Sequence, residues 1–420
     1  MRWIRLNVLI LLFLVVTSCS SSADQVSLAA GNPSPTPFQP RDGMSADSIY
    51  ADTAPAPLDL PTVTSLPATP ADPAIQPEFL PADVTAPAFS LPTLLDPLTG
   101  LPPSDPALLN RRPLAIKVAN YPRYIRPQSG LTLADNVYEY YIEGGLTRFI
   151  AVFYGSNSEW VGPVRSGRYF DENIQRMYQS FLVFKFADPR VLDHFKESDF
   201  ADFIVVPSKG SCPPFRLMPT RHIEVYNNSY FYTPGWDGCI AKNNLNNNRP
   251  AIRSGFFSDV APVSDQPGTK IFTYYSFDSY NYWEYDPGTK QYLRYQETDN
   301  IRNDKPEKYE PLIDHSTNAQ VHASNVVVLL APYSFANTYD QEDEVYQIDV
   351  TGSGDAYVFR DGMEIPAHWN RTNENQPLLL TGENGAVLYL RPGITFYEVI
   401  GTHSFMDQAN GEWRFHHDTP

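Results

Sequence analysis

Positive charge is scarce in this sequence. Its 31 Lys and Arg stand against 48 Asp and Glu, for a formal net charge of −17. So acidic a chain lacks the cations that neutralise phosphates in nonspecific nucleic-acid binding, and lacks a basic patch for an anionic bilayer surface. Long hydrophobic runs are missing too. Beyond the first 16 residues no segment approaches the roughly 20 apolar residues that span a bilayer. Ser166 lacks the G-x-S-x-G context of a strained serine nucleophile. His403, His416 and His417 lack metal-ligand spacing, so neither a metal nor a cofactor is expected, and these histidines read as part of a frayed tail. Cysteine is rare, with three in 420 residues.

One of the three decides where the chain goes. Arg2 and Arg5 form a short positive region, and residues 8–16 are almost wholly apolar, the length of a signal-peptide core. Val16, Thr17 and Ser18 then precede Cys19. This arrangement resembles the bacterial lipobox, in which the cysteine is lipidated and becomes the new N-terminus. An ordinary secretory signal that happens to contain a cysteine is the alternative. Fatty acyl chains such as palmitate, at about 0.8 kcal/mol per buried methylene, hold a protein on a membrane without a spanning helix when two or more are present. The expectation is a signal peptide at residues 1–18, lipidation at Cys19, and an extracytoplasmic protein anchored to the cell membrane.

Residues 19–95 read as a tether. Eighteen of the 39 prolines lie between Pro33 and Pro106, and residues 20–110 hold ten acids and one base, Arg41. No apolar periodicity offsets the entropy of ordering such a segment, and proline favours extended polyproline II. A slack linker without a length requirement is the alternative to a stalk through a wall layer.

The body reads as α+β, with a mixed α/β sheet domain at 96–255 followed by a smaller, β-rich domain at 266–402. Segments 113–119, 136–142 and 148–154 have the β-branched and aromatic content of strands. Segment 171–178 has helical spacing. Strand 180–186, helix 190–195 and strand 203–206 complete an alternating pattern that suggests a sheet covered by helices. Further on come strand 270–277, a hairpin over 282–295 turning at Asp286-Pro287-Gly288, and short strands at 326–330, 345–350, 356–359, 386–390 and 395–400. Segment 243–248, nearly all asparagine, reads as a solvated loop. Cys212 and Cys239 are left as a candidate disulfide, with two free thiols or a catalytic Cys–His pair as alternatives. Tyrosines around Trp283 suggest either a sugar-stacking face or one face of a core.

Five blocks in the first half resemble the YerB-type lipoproteins, the DUF3048 family. They are Asp96-Pro97-Leu98-Thr99-Gly100-Leu101, Asn110-Arg111-Arg112-Pro113, Arg126-Pro127-Gln128-Ser129-Gly130, Glu143-Gly144-Gly145-Leu146-Thr147-Arg148-Phe149 and Gly162-Pro163-Val164-Arg165-Ser166. Tyr285-Asp286, Tyr292, Arg294, Ala323-Ser324-Asn325, Gly352-Ser353-Gly354 and Leu390-Arg391-Pro392-Gly393 extend the likeness through the second half. The resemblance implies an extracytoplasmic lipoprotein with an α/β first part and a β-rich second part, and it implies no activity. Where the family commonly has Pro-His-Asn, this chain has Arg221-His222-Ile223.

Three polar clusters carry the candidate chemistry. They are Glu143 with Thr147 and Arg148; Arg165, Ser166 and Arg168 before a helix; and Arg216, Arg221 and His222 inside the loop that Cys212 and Cys239 would close. Arginine binds a carboxylate or phosphate through two parallel hydrogen bonds. The expected function is therefore binding or scaffolding at the cell envelope, through an arginine-lined pocket for an anionic group, with a cell-wall polymer or an envelope protein as partner. Against it stands the structural reading, in which the same arginines pair with Glu139 or Glu143. The runner-up is a cell-envelope hydrolase with Glu143 and His222 as acid and base.

Overall fold

The computed structural model describes residues 94–208, 212–253, 255–336 and 344–420. Cys19, the expected signal peptide and most of the proline-rich stretch lie outside the described residues.

The fold is α+β and dominated by strands. Its centre is an 11-stranded mixed sheet to which both halves of the sequence contribute. From the first half come Leu114–Ala119, Asn136–Tyr141, Thr147–Phe153, Phe181–Val183 and Ile204–Val205. From the second come Gln266–Pro267, Asn325–Ala331, Gly352–Arg360, Met363–Arg371, Leu379–Gly382 and Thr395–Gly401. The halves join where Asn136–Tyr141 runs parallel to Thr395–Gly401, with Glu139 opposite Glu398. Central strands are covered on both faces, which explains runs such as Asn325–Ala331 (NVVVLLA) that show no polar alternation.

Helix Phe170–Tyr178 covers one face through Phe170, Ile174, Met177 and Tyr178, and Pro189–Glu197 covers it through Val191 and Phe195. Asp188 caps the second helix by accepting from Arg190 N, with proline in its first turn. On the other face lies a seven-stranded sheet from the second half, whose strands include Lys270–Tyr274, Tyr280–Asp286, Gln291–Glu297, Phe405–Ala409 and Glu412–His416. Its inner residues Ile271, Trp283, Tyr292, Trp413 and Phe415 share a core with Phe149, Val326, Phe359 and Phe396 of the large sheet.

Trp283 is therefore core, while Tyr282 and Tyr295 stack on the opposite face of their hairpin with ring centroids 4.5 Å apart. Two expectations are corrected. Segment 386–390 is not a strand; Val387 bridges Thr381 of the sheet and Leu390 bridges Phe257 outside it, and the strand of that region is Leu379–Gly382. The C-terminal histidines are not in a frayed tail. His416 ends Glu412–His416, which pairs in parallel with Lys270–Tyr274, and His417 is so buried that its imidazole is pushed down to about 3.

Candidate functional site

The strand pairing places two cations on one tyrosine and a third within range of their charge. Arg165 N donates to Lys117 O at 3.1 Å and Lys185 N donates to Arg165 O at 2.9 Å, so Arg165 sits between the ends of two strands. Its guanidinium donates to Tyr226 O at 3.3 Å and to Asn227 Oδ1. Lys185 Nζ donates to the same Tyr226 carbonyl at 3.2 Å. Both cations also face the Tyr226 ring, at 4.7 and 4.8 Å from its centroid. Arg148, on Thr147–Phe153, adds a third charge. Its guanidinium hydrogen-bonds Thr147 O at 2.9 Å, while its Nε is buried with no hydrogen-bond partner.

Burial first, then the positive charges of Arg168 and Arg165, pull Arg148 down to about 9. Burial and Arg165 likewise lower Lys185. Among the described residues, no carboxylate lies within ion-pair distance of Arg148, Arg165 or Lys185. Neutral acceptors, a carbonyl and an amide, hold charges that an anion would hold better.

The rim of this cluster is aromatic and open. Phe186 stacks on Tyr226 at 6.1 Å with 8° between planes. Phe186 is 55% exposed and Tyr226 is 54% exposed. Phe186 also adopts φ 64°, a left-handed conformation that costs a bulky residue energy and recurs at functional positions. Tyr124, half-exposed as well, donates to Glu224 and accepts from Asn227 Nδ2 at 2.6 Å.

The other sequence candidates have separate places. Arg168 is held by Glu143, with Nε 2.7 Å from Oε2 and a second contact to Oε1. Thr147 points into the interior, where its hydroxyl donates to Glu139 Oε1 at 2.6 Å. Ser166 is half-buried, and its carbonyl accepts from Arg168. Arg216 is exposed and lies 4.2 Å over the Tyr232 ring. His222 is exposed, and no hydrogen bond joins it to Glu143, whose carboxylate faces Arg168. Of the predicted set, the structure thus gathers Arg148, Arg165 and the Arg168–Glu143 pair. Sequence reasoning missed Lys185, Phe186, Tyr226 and Tyr124. A lysine inside the apolar run Phe181-Leu182-Val183-Phe184-Lys185-Phe186 was the available signal.

Cys212 and Cys239 form a disulfide with Cα atoms 5.3 Å apart. The bridge closes the segment that carries Arg216, His222 and Tyr226. Replacing both cysteines with serine is expected to cost about 3 kcal/mol by the loop-entropy account. Thermal unfolding of the double variant, with and without reductant on the parent chain, measures it.

A second polar cluster lies where the two halves meet. Arg294, fully buried, donates to Glu398 Oε1 at 2.8 Å and to Glu139 Oε2. Glu398 also accepts from Trp283 Nε1 at 2.8 Å and Tyr275 OH at 2.9 Å. Glu139 accepts from Asn120 Nδ2 at 3.0 Å. Burial pushes Glu139 up to about 7 despite Arg294. Every group here has partners and the site is closed to solvent, so the cluster joins the two halves.

These halves correspond to two matched family segments. Residues 98–242 match the N-terminal domain, and residues 271–397 the C-terminal domain, of a family described as "Protein of unknown function (DUF3048)". The chain belongs to the DUF3048 family. Among its relatives is the putative lipoprotein YerB of Bacillus subtilis strain 168, 26% identical over 327 residues that cover 75% of this chain and 89% of that one. The crystal structure of the Bacillus subtilis YerB protein has the same fold, with a TM-score of 0.60 at 24% identity, covering 73% of this chain and 96% of the other. Arg148, Arg165, Lys185 and Tyr226 all fall in the N-terminal DUF3048 segment. Glu139 and Arg294 tie that segment to the C-terminal one.

Proposed function

We propose that this DUF3048 protein is a lipid-anchored extracytoplasmic binding protein of the cell envelope, whose site for anionic groups is the Arg148–Arg165–Lys185 cluster with its Tyr226–Phe186 rim. The relative named a putative lipoprotein and the lipobox-like residues at Cys19 support the anchor. No helix among the described residues is long and apolar enough to cross a membrane. One observation carries the site: Arg165 and Lys185 converge on one tyrosine, with Arg148 within range of their charge, and none of the three has a carboxylate at ion-pair distance among the described residues. A phosphate or carboxylate group replacing the Tyr226 carbonyl would gain charge-assisted bonds from Arg165 and Lys185. The adjoining rings would stack on the apolar face of a sugar. An anionic wall polymer built of phosphates and polyols or sugars has that chemistry.

Calorimetric titration of the purified chain with poly(glycerol phosphate) tests this reading. Binding is expected to weaken with salt, and to fall about tenfold or more in Arg165→Gln and Lys185→Ala. A neutral dextran is expected not to bind. Equal affinity of parent and variants, or no binding to the polymer, would sink the proposed site.

A further inference from the structure

A second surface has the opposite charge. A cavity of 870 Å³ opens between segment 258–266 and the turn at 382–389. Its walls are apolar, with Val260, Val263, Ile365, Leu388 and Tyr389 among them, and its polar rim carries Asp265 and Glu383. None of the lining residues is Lys, Arg or His.

Beside Ile365 stands Glu364, which is 2% exposed. Its backbone pairs with Gln266, and its carbonyl accepts from Ser264 Oγ at 2.5 Å, so it fastens segment 258–266 to strand Met363–Arg371 behind the groove. Among the described residues no cation pairs with Glu364, and its Oε1 is buried without a hydrogen-bond partner. A buried carboxylate oxygen left unpaired is costly. Burial and then the charge of Glu383 push its carboxyl up to about 7, as expected for an acid that lacks a counterion.

We propose that this groove is the docking site of a basic, extended peptide segment of a separate envelope protein, which inserts apolar side chains between Val263 and Leu388 and sets Lys or Arg against Glu383 and Asp265, with the unpaired Glu364 adding negative charge behind them. The openness of the walls favours a protein segment over an enclosed small molecule. Val260 is 78% exposed and Val263 fully exposed, as at a contact surface awaiting its partner. Charge selects the occupant. The chain's own residues 20–110, with ten acids and one base, have the wrong sign, and so does a second copy at −17.

The test is fluorescence anisotropy of the purified chain with two labelled heptapeptides, one alternating lysine and leucine, the other glutamate and leucine. The lysine peptide is expected to bind and the glutamate peptide not. Glu383→Lys is expected to weaken binding about tenfold and Val263→Ser about threefold. Glu310→Lys, an exposed charge reversal outside the groove, and Arg165→Gln in the anion site are both expected to leave it unchanged. Equal binding of both peptides, or an equal loss in Glu310→Lys, would mean unspecific attraction to an acidic protein and overturn the proposal. So would a parent chain that sediments as a dimer which Glu383→Lys dissociates, since the groove would then belong to a second copy.

Discussion

Arg294→Met is expected to destabilise the protein by about 3–5 kcal/mol, the range for removing one partner of a buried ion pair. The side chain removed is fully buried and holds two carboxylates, Glu139 and Glu398, from parallel neighbouring strands. Without the guanidinium those acids face each other across one register position, with only neutral donors such as Trp283 Nε1, Tyr275 OH and Thr147 Oγ1. At least one of them must then take up a proton. The loss should therefore be smaller at pH 5 than at pH 8, and much of it should return in a variant that also carries Glu139→Gln and Glu398→Gln. Chemical denaturation of the three chains at both pH values measures this. A loss below about 1 kcal/mol would contradict the view that this cluster holds the halves together.

Stability should also decline as pH rises from about 5 to 9, and Asp96 is expected to be the chief cause. Asp96 and Asp135 are both buried, and burial together with the Asp135 charge raises the Asp96 carboxyl to about 8. A folded-state value above the unfolded one means that the folded chain binds the proton more tightly. Its contribution is fully present below the unfolded value of 3.8 and is lost as pH rises through about 8. One such group changes stability by up to about 1.4 kcal/mol per pH unit inside that window. Glu139 and Glu364, each raised to about 7, push the same way.

His417 opposes them at low pH. Its depressed value means that stability is lost as pH falls below about 6.5, but above about 4.5 the three raised acids together outweigh it, so the maximum should lie near pH 4. Asp96→Asn removes the titrating carboxyl and keeps its size. It is expected to flatten the alkaline limb while leaving stability near pH 5 within about 1 kcal/mol of the parent. Urea melts across pH 5–9 decide it, and an unchanged slope in Asp96→Asn would contradict the assignment.

How much was legible in the sequence follows from what burial does to each segment. Leu114–Ala119, Asn136–Tyr141 and Thr147–Phe153 were readable because β-branched and aromatic residues crowd into short runs. Helix Phe170–Tyr178 was readable from its apolar spacing. Their pairing was not, because nothing local reports that Asn136–Tyr141 takes Thr395–Gly401 as a neighbour. Segment 386–390 has the composition of a strand, yet Leu379–Gly382 takes the sheet position beside Met363–Arg371. Within the candidate site, Arg148, Arg165 and Arg168 stood out as charged residues in Gly-rich contexts. Their fates diverged through tertiary partners: Glu143 reaches Arg168 and leaves Arg148 and Arg165 without an acid. The meeting of Lys185 with Tyr226 left no local trace, because the two come together only when the loop closed by Cys212–Cys239 folds over the strand ends.

That pattern gives the molecule two faces of opposite character, a cation cluster at Tyr226 with no ion-paired carboxylate among the described residues and an acidic groove lined by Asp265 and Glu383 without cations. A binding or scaffolding protein held at a membrane would use such faces to join an anionic polymer to a basic partner. The claim on which this rests is the location of the anion site, and a crystal structure of the chain grown with glycerol phosphate tests it most directly. The phosphate is expected between Arg165 and Lys185, within reach of Arg148, with the Tyr226 carbonyl turned away from both cations. A phosphate bound elsewhere at saturating concentration, with Tyr226 still accepting from Arg165 and Lys185, would show that these cations are architecture and that the ligand site must be sought on another surface.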